Sequence, residues 1–460
     1  MRVLLFMLCC LFVRVTTAQV FTLKDFMQTI AQYHPVMQRI TLLENEADAN
    51  LQMTRGVFDP YIESSLAQKE YADKLYYRMW NSTLTIPVWS GIDVYAGLAQ
   101  NDGIYIDPSN TIPDVGLYKA GIKADVLQGL LTNRRQTDVA QAKIMQESNA
   151  NEQMVMRNRV YAEALTDYFN WSRAYQVLQL YQTFAERAQV RYNGVVAMHR
   201  AGDIPAVDTL EAFIQLQDRL TLYNEAFIQY VYALQTVNGY LWNSNTQPVR
   251  LQEDQIPEQL DSLQLFQNLP TVTDWLAHPL VRDYQFALQS LDLEERLKKQ
   301  YVLPKLSLNY GVLMPVGFTE NVNPDQYQFG MSFQYPLFTR NARGSLALTR
   351  IKQQETDLKR VEKLNELQLK STILEQEVTL KREQLSLYTS MQRNALTLLQ
   401  AEETKFSVGE SSLFLVNARE LSYLNSAVKQ VYAQFTLQST LVKQLDNTGN
   451  VYTFITSLYQ

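Results

Sequence analysis

Hydrophobic positions recur along this chain with two different periods, kept in separate stretches. From Tyr327 to Tyr335 every odd position is large and apolar or aromatic, and every even one is Gln, Gly or Ser. Leu306, Leu308, Tyr310 and Val312 alternate in the same way with Ser307, Asn309 and Gly311. Period two is a strand signal. The two runs predict a hairpin of about ten residues per leg, the length of a tilted strand crossing a bilayer. A second alternating region extends from Pro60 to Leu127, with a tight turn at Ser90-Gly91 and a loop at 107–110. Within it, Ile92, Val94, Ala96 and Leu98 alternate with Asp93, Tyr95 and Gly97. Tyr118, Ala120, Ile122, Ala124 and Val126 alternate with Lys119, Gly121, Lys123 and Asp125. One oily and one wet face fits a membrane barrel, and equally any half-buried antiparallel sheet.

The rest of the pattern is helical. Leu23–Met53 reads as one helix. Leu131–Asn193 contains neither Gly nor Pro, so the helix it predicts is on the order of 95 Å long. Ser345–Val408 is equally free of breakers. Along it Leu364, Leu367, Leu374, Val378, Leu385, Tyr388, Ala395 and Leu399 keep a 3-4 spacing, with Ser371, Lys381 and Gln392 filling the frame. Such a seam drives helices to coil around one another. The polar interruptions fit local register control and, equally, the lining of a wet interior. Helices over Ile204–Leu241 and Ser411–Leu445 return from these arms.

The arrangement is stated twice. His34-Pro35-Val36 is matched by His278-Pro279-Leu280 and Pro60 by Pro304, both at an offset of 244 residues, whereas Gly202-Asp203 matches Gly409-Glu410 at 207. The difference falls among the strands, where the first half carries extra material around Ser90–Asp125. Pro87-Val88-Trp89 and Pro336-Leu337-Phe338 both close strands. The expected organisation is a leader over 1–18, a first repeat over 19–255 and a second over 256–460, stacked pseudo-symmetrically.

Composition narrows the class. With 460 residues, 46% hydrophobic and 19% charged, the chain can bury a large core, and a net charge of −6 leaves no basic excess for nucleic acid. Met1-Arg2 opens an apolar run over 3–13 that ends near Thr16-Thr17-Ala18, the pattern of an export signal cleaved after Ala18. Both cysteines, Cys9 and Cys10, lie inside that run, so the mature chain is expected to hold no disulfide and no Cys metal site. Met7-Leu8 precede Cys9 where a lipid-anchoring cysteine would follow small residues. No later segment reaches the ~18–20 apolar residues of a spanning helix. An exported chain of this kind crosses a membrane only as a closed barrel, because lipid offers no partner to an open strand edge.

Together these features resemble the TolC family of outer-membrane efflux channels over essentially all of the mature chain. The most specific are the paired turns, 201–208 (Ala-Gly-Asp-Ile-Pro-Ala-Val-Asp) and 406–413 (Phe-Ser-Val-Gly-Glu-Ser-Ser-Leu). The resemblance implies a mainly α fold of long antiparallel coiled-coil helices, with strands contributed to a membrane β-barrel shared by a homotrimer. It implies a place in the cell outer membrane, with the helical part in the periplasm. It also implies a passive exit duct for efflux or secretion, working with a periplasmic adaptor protein and an inner-membrane transporter. Ala201, Gly202 and Asp203, with Val408, Gly409 and Glu410, then stand for the adaptor-docking tip, and Asp208, Ser411 and Leu415 for the aperture. Gly permits the sharp reversal, and Asp203 and Glu410 precede helices where negative charge is favoured. The family's better-known members carry aspartates six and nine residues after the second Gly; here those positions are Leu415 and Ala418, while Asp208 matches in the first turn. Four strands per protomer would make a twelve-stranded barrel; if the extra hairpin of the first half joins, there would be more.

No enzyme is expected. His34 and His278 stand at repeat-equivalent His-Pro openings, which reads as a structural role, and His199 lies near the first turn. Asp208 and Glu211 share a helix face with no nucleophile beside them. There is no phosphate-binding Gly-rich loop, and no cofactor is implied. The competing readings are a periplasmic adaptor, which would need compact Gly-rich β-domains around one hairpin, and a secreted coiled-coil scaffold. Two equivalent hairpins and membrane-length strands stand against the first, and the second would not need the alternating aromatic strands.

Overall fold

In the computed structural model the described residues are 19–252, 255–259, 265–267, 274–317, 323 and 325–457; the leader expected at 1–18 lies outside them. The chain divides into two compact units. One comprises 19–40, Met154–Trp275 and the residues from Glu366 onward; the other comprises Thr41–Gln153 and Leu276–Asn365. Each takes segments from both halves of the chain.

The second unit holds the sheet. Strands β2 (Tyr61–Tyr71), β3 (Lys74–Pro87), β4 (Ile92–Asp102), β5 (Leu117–Asp125), β7 (Lys305–Pro315) and β8 (Tyr327–Gln334) lie side by side in the order β2-β3-β4-β5-β7-β8. Every neighbouring pair is antiparallel. The register puts Ile62, Leu66, Trp80, Leu84, Val94, Leu98, Ile122, Tyr310 and Phe329 on one face, and Glu63, Ser65, Asn81, Thr83, Lys119, Lys123, Asn309, Ser332 and Gln334 on the other. The alternation read from sequence is thus one apolar and one polar face across six strands. The apolar face is unburied: Ile62 is 74% exposed and Met331 66%. In a single chain the sheet is open rather than closed into a barrel.

The first unit is helical. A short parallel pair, β1 (Gln19–Phe21) with β6 (Gln255–Pro257), opens it. Helix α1 (Leu23–Tyr33) turns Phe26, Met27 and Ile30 into a core shared with Tyr168 and Trp171 of α3 (Arg134–Ala201) and with Val237 of α4 (Ala206–Asn238). Leu441 and Leu445 of α7 (Leu413–Asn447) and Phe454 of α8 (Val451–Ser457) complete that core. The single helix expected over Leu23–Met53 is two. His34 is extended (φ −65, ψ 128), because Pro35 behind it disfavours helical backbone, and α2 (Pro35–Arg55) starts afresh with Pro in its first turn.

The two breaker-free tracts are α3 and α6 (Arg340–Ser407), each 68 residues long, or about 100 Å. All eleven positions of the predicted seam on α6 are buried or half-buried, while Ile351, Leu358, Leu380 and Leu387 on other faces are exposed. At Gln392 the polar interruption has a partner: its amide donates to the Tyr423 hydroxyl on α7 at 3.3 Å, which favours register control there. The His-Pro openings behave alike. His34 Nδ1 accepts from the Val36 N–H at 3.3 Å, and His278 Nδ1 accepts from the Leu280 N–H at 3.2 Å at the start of α5 (Pro279–Gln300). Both imidazoles are helix caps.

Candidate functional site

Gly202 ends α3 at φ +87 and Gly409 ends α6 at φ +82. At the first turn the Gly202 N–H donates to the His199 carbonyl and the Asp203 N–H to that of Met198, at 3.0 and 3.1 Å. At the second, Gly409 donates to Phe406 and Glu410 to Lys405, at 3.1 and 2.9 Å. These are the paired bonds of a glycine-closed helix end, repeated at equivalent positions. Nothing lies within 4 Å of where a Cβ would stand on either glycine, so the glycines answer to backbone conformation, not to crowding. Ala201, Gly202, Asp203, Val408, Gly409 and Glu410 are all exposed.

The predicted aperture residues have different surroundings. Asp208 is half-exposed in the first turn of α4. The Ser411 hydroxyl donates to Glu402 Oε1 at 2.5 Å, tying the turn back onto α6. Leu415 is 42% exposed, and its N–H is capped by the Ser412 hydroxyl.

A buried charged contact that joins three of the helices is one that sequence reading did not single out. Glu420 on α7, 2% exposed, receives Arg191 Nη2 of α3 at 2.6 Å and Arg219 Nε of α4 at 3.4 Å. Arg191 also donates to Asn417 Oδ1 at 2.8 Å, and Arg219 to its neighbour Asp218 at 2.5 Å. Glu420 follows Gly409 by eleven residues, as Arg191 precedes Gly202 by eleven. At 1.5 Å per residue the lock therefore lies about 16 Å from the turns. Ring contacts flank it: Phe184 of α3 with Tyr423 of α7 at 5.8 Å, and Tyr192 of α3 with Phe213 of α4 at 5.3 Å. The equal spacing from the two glycines was the only signal available beforehand.

Among the described residues no group of three or more His, Cys, Asp or Glu side chains is placed to hold a metal ion. None of the described helices is long and apolar enough to cross a membrane. Burial raises the carboxyl of Asp167, whose oxygen accepts from the Tyr240 hydroxyl at 2.7 Å, and pushes that phenol up too.

No protein-family model and no curated protein matches the chain. Solved structures do. The Campylobacter jejuni CmeC outer membrane channel aligns with a TM-score of 0.66 at 12% identity, over 92% of this chain and 85% of that one. The outer membrane protein VceC from Vibrio cholerae aligns with a TM-score of 0.66 at 11% identity, over 93% and 95%. The Neisseria gonorrhoeae MtrE outer membrane channel, in its open state, aligns with a TM-score of 0.64 at 13% identity, over 93% and 88%. The chain therefore has the TolC-like fold that its paired turns led one to expect.

Proposed function

We propose that this protein is an outer-membrane channel, the passive exit duct of a tripartite efflux or secretion system. The observation that carries the reading is the sheet: six long antiparallel strands with an unburied apolar face and a polar reverse. An apolar face of this extent needs a cover of lipid or protein, and strands of bilayer-crossing length with a polar reverse face favour lipid on one side and water on the other. The fold of the aligned outer-membrane channels supports it. On this reading three copies assemble as a homotrimer and pool their sheets in the outer membrane, with the helices in the periplasm. A periplasmic adaptor docks on the two glycine turns and connects the duct to an inner-membrane transporter, which supplies the energy.

The tip is held shut by polar contacts, with Asp208, Ser411 and Leu415 around the aperture. Behind them, Glu420 keeps α7 bound to α3 and α4. Opening then needs a partner that binds the splayed tip better than the closed one, since equal affinity shifts nothing.

Alkaline extraction of membranes followed by planar-bilayer recording tests the duct. The protein should stay in the outer-membrane fraction and conduct ions; release by alkali, or a silent trimer, overturns the reading. Asp208→Ala should raise single-channel conductance, and an unchanged conductance takes Asp208 out of the gate.

A further inference from the structure

The strand order leaves β2 and β8 each with one unpaired edge. β2 is exposed along all eleven residues and β8 along every residue but Gly330. Among the described residues neither edge is blunted by an internal proline or covered by a helix; the β2–β3 register shifts at Lys69/Glu70, far from the helix end of β2. In lipid such edges must find a backbone partner.

Between them lies the β4–β5 hairpin, which has no counterpart in the second sequence repeat. It is built into the sheet and not draped over it. On the polar face Tyr95 of β4 reaches across Gly121 of β5 and Gly311 of β7, and its hydroxyl donates to Asn309 Oδ1 on β7 at 2.9 Å. A Cβ on Gly121 would come within 2.8 Å of that hydroxyl, and one on Gly311 would overlap it. One tyrosine and two glycines thus key three strands together. At the helix end Arg135 binds Asp93 at 2.6 Å, and Asn133 and Gln136 donate to the Trp89 carbonyl at 3.2 and 2.7 Å. A hairpin adds two strands, so the alternation of direction survives it. With six alternating strands, β8 of one copy runs antiparallel to β2 of the next, and the apolar and polar faces continue across the join.

We infer that the hairpin over 92–125 is a permanent part of the membrane wall, and that the β2 edge of each copy pairs with the β8 edge of its neighbour. Three copies of this six-stranded sheet then close an eighteen-stranded barrel. The inference rests on the channel reading for its membrane and its three copies. Closure within one chain is excluded on two counts: β2 and β8 share no ladder, and six strands would enclose a bore too narrow for inward side chains. At 4.8 Å between strands and a tilt of about 40°, eighteen strands span about 36 Å between opposite backbones, against about 24 Å for twelve. Barrels of that strand number hold an aqueous channel. A wall of that bore leaves an open path between its inward side chains.

Residues 19–460 contain no cysteine, so engineered pairs report cleanly. Ser65→Cys on the polar face of β2 would be combined in turn with Gln328→Cys, Gly330→Cys or Ser332→Cys on that of β8. Lys119→Cys with Leu313→Cys, register partners on β5 and β7 that leave the Tyr95–Asn309 contact in place, reports on the hairpin. After oxidation of the purified protein, one β2–β8 combination should give a covalent ladder ending at three chains, and the β5–β7 pair should close within one chain. A trimer by mass in which no β2–β8 combination links, a ladder ending at another number, or a β5–β7 pair that stays open would each overturn the inference. Linked trimers that pass no ions would remove the channel reading and leave the wall; a conducting trimer without links would do the reverse.

Discussion

Removing the carboxylate of Glu420 is the perturbation with the largest expected effect on the helices near the turns. Arg219 and Glu420 are each only 2% exposed, and Arg191 is 20% exposed. Without Glu420 the Arg219 guanidinium keeps only Asp218, whose side chain is 55% exposed. Breaking one partner out of a buried pair leaves an uncompensated charge and costs about 3–5 kcal/mol, whereas an exposed pair is worth below about 1. Local opening of α7 should therefore become ~10²- to 10⁴-fold more frequent in Glu420→Ala. Hydrogen exchange read on peptides covering 413–425 measures this directly. Glu420→Gln, whose amide oxygen still accepts from one arginine, should fall between. Replacing Arg191, Arg219 and Glu420 together with Met should lie near the parent, since a packed apolar cluster avoids the desolvation cost and strands no guanidinium. Exchange in Glu420→Ala within about fivefold of the parent would refute the reasoning, because it would mean that the contact behaves as a solvated pair.

Gly202→Ala and Gly409→Ala should each cost about 1–2 kcal/mol through left-handed backbone alone, since no atom crowds the new Cβ; faster proteolysis at the turns checks it, and Asn should cost less. Burial lowers the pKa of His34, and its Nδ1 must be unprotonated to accept from Val36. The unfolded chain then binds the extra proton below pH ~6.5, so stability is full above that value and is lost as pH falls through the lowered pKa. Exchange at the first turn of α2 should rise on acidification, and His34→Asn should abolish that dependence. Gly311→Val should drive Tyr95 off its seat at a cost of about 1–3 kcal/mol, seen as a lower unfolding temperature of the sheet on heated gels; Tyr95→Phe should lose only about 1.

Much of this molecule is legible in its residues taken in order. The 3-4 seam from Leu364 to Leu399, the breaker-free tracts, the two glycine turns and the period-two strands are local patterns. A helix or strand states its own periodicity whatever it later touches. The break at His34 is equally local, since Pro35 acts on its immediate neighbour, but the apolar pattern runs straight through it and hides it. Two features depended on folding. Period two assigns Ile92–Asp102 and Leu117–Asp125 a face but not a neighbour, so their place between β3 and β7 emerged only when Tyr95 met Gly311, more than two hundred residues away. Glu420, Arg191 and Arg219 look like ordinary charges on solvated helix faces. What makes them a lock is exclusion of water by three helices at once, and burial belongs to the assembled helices, not to any stretch of sequence.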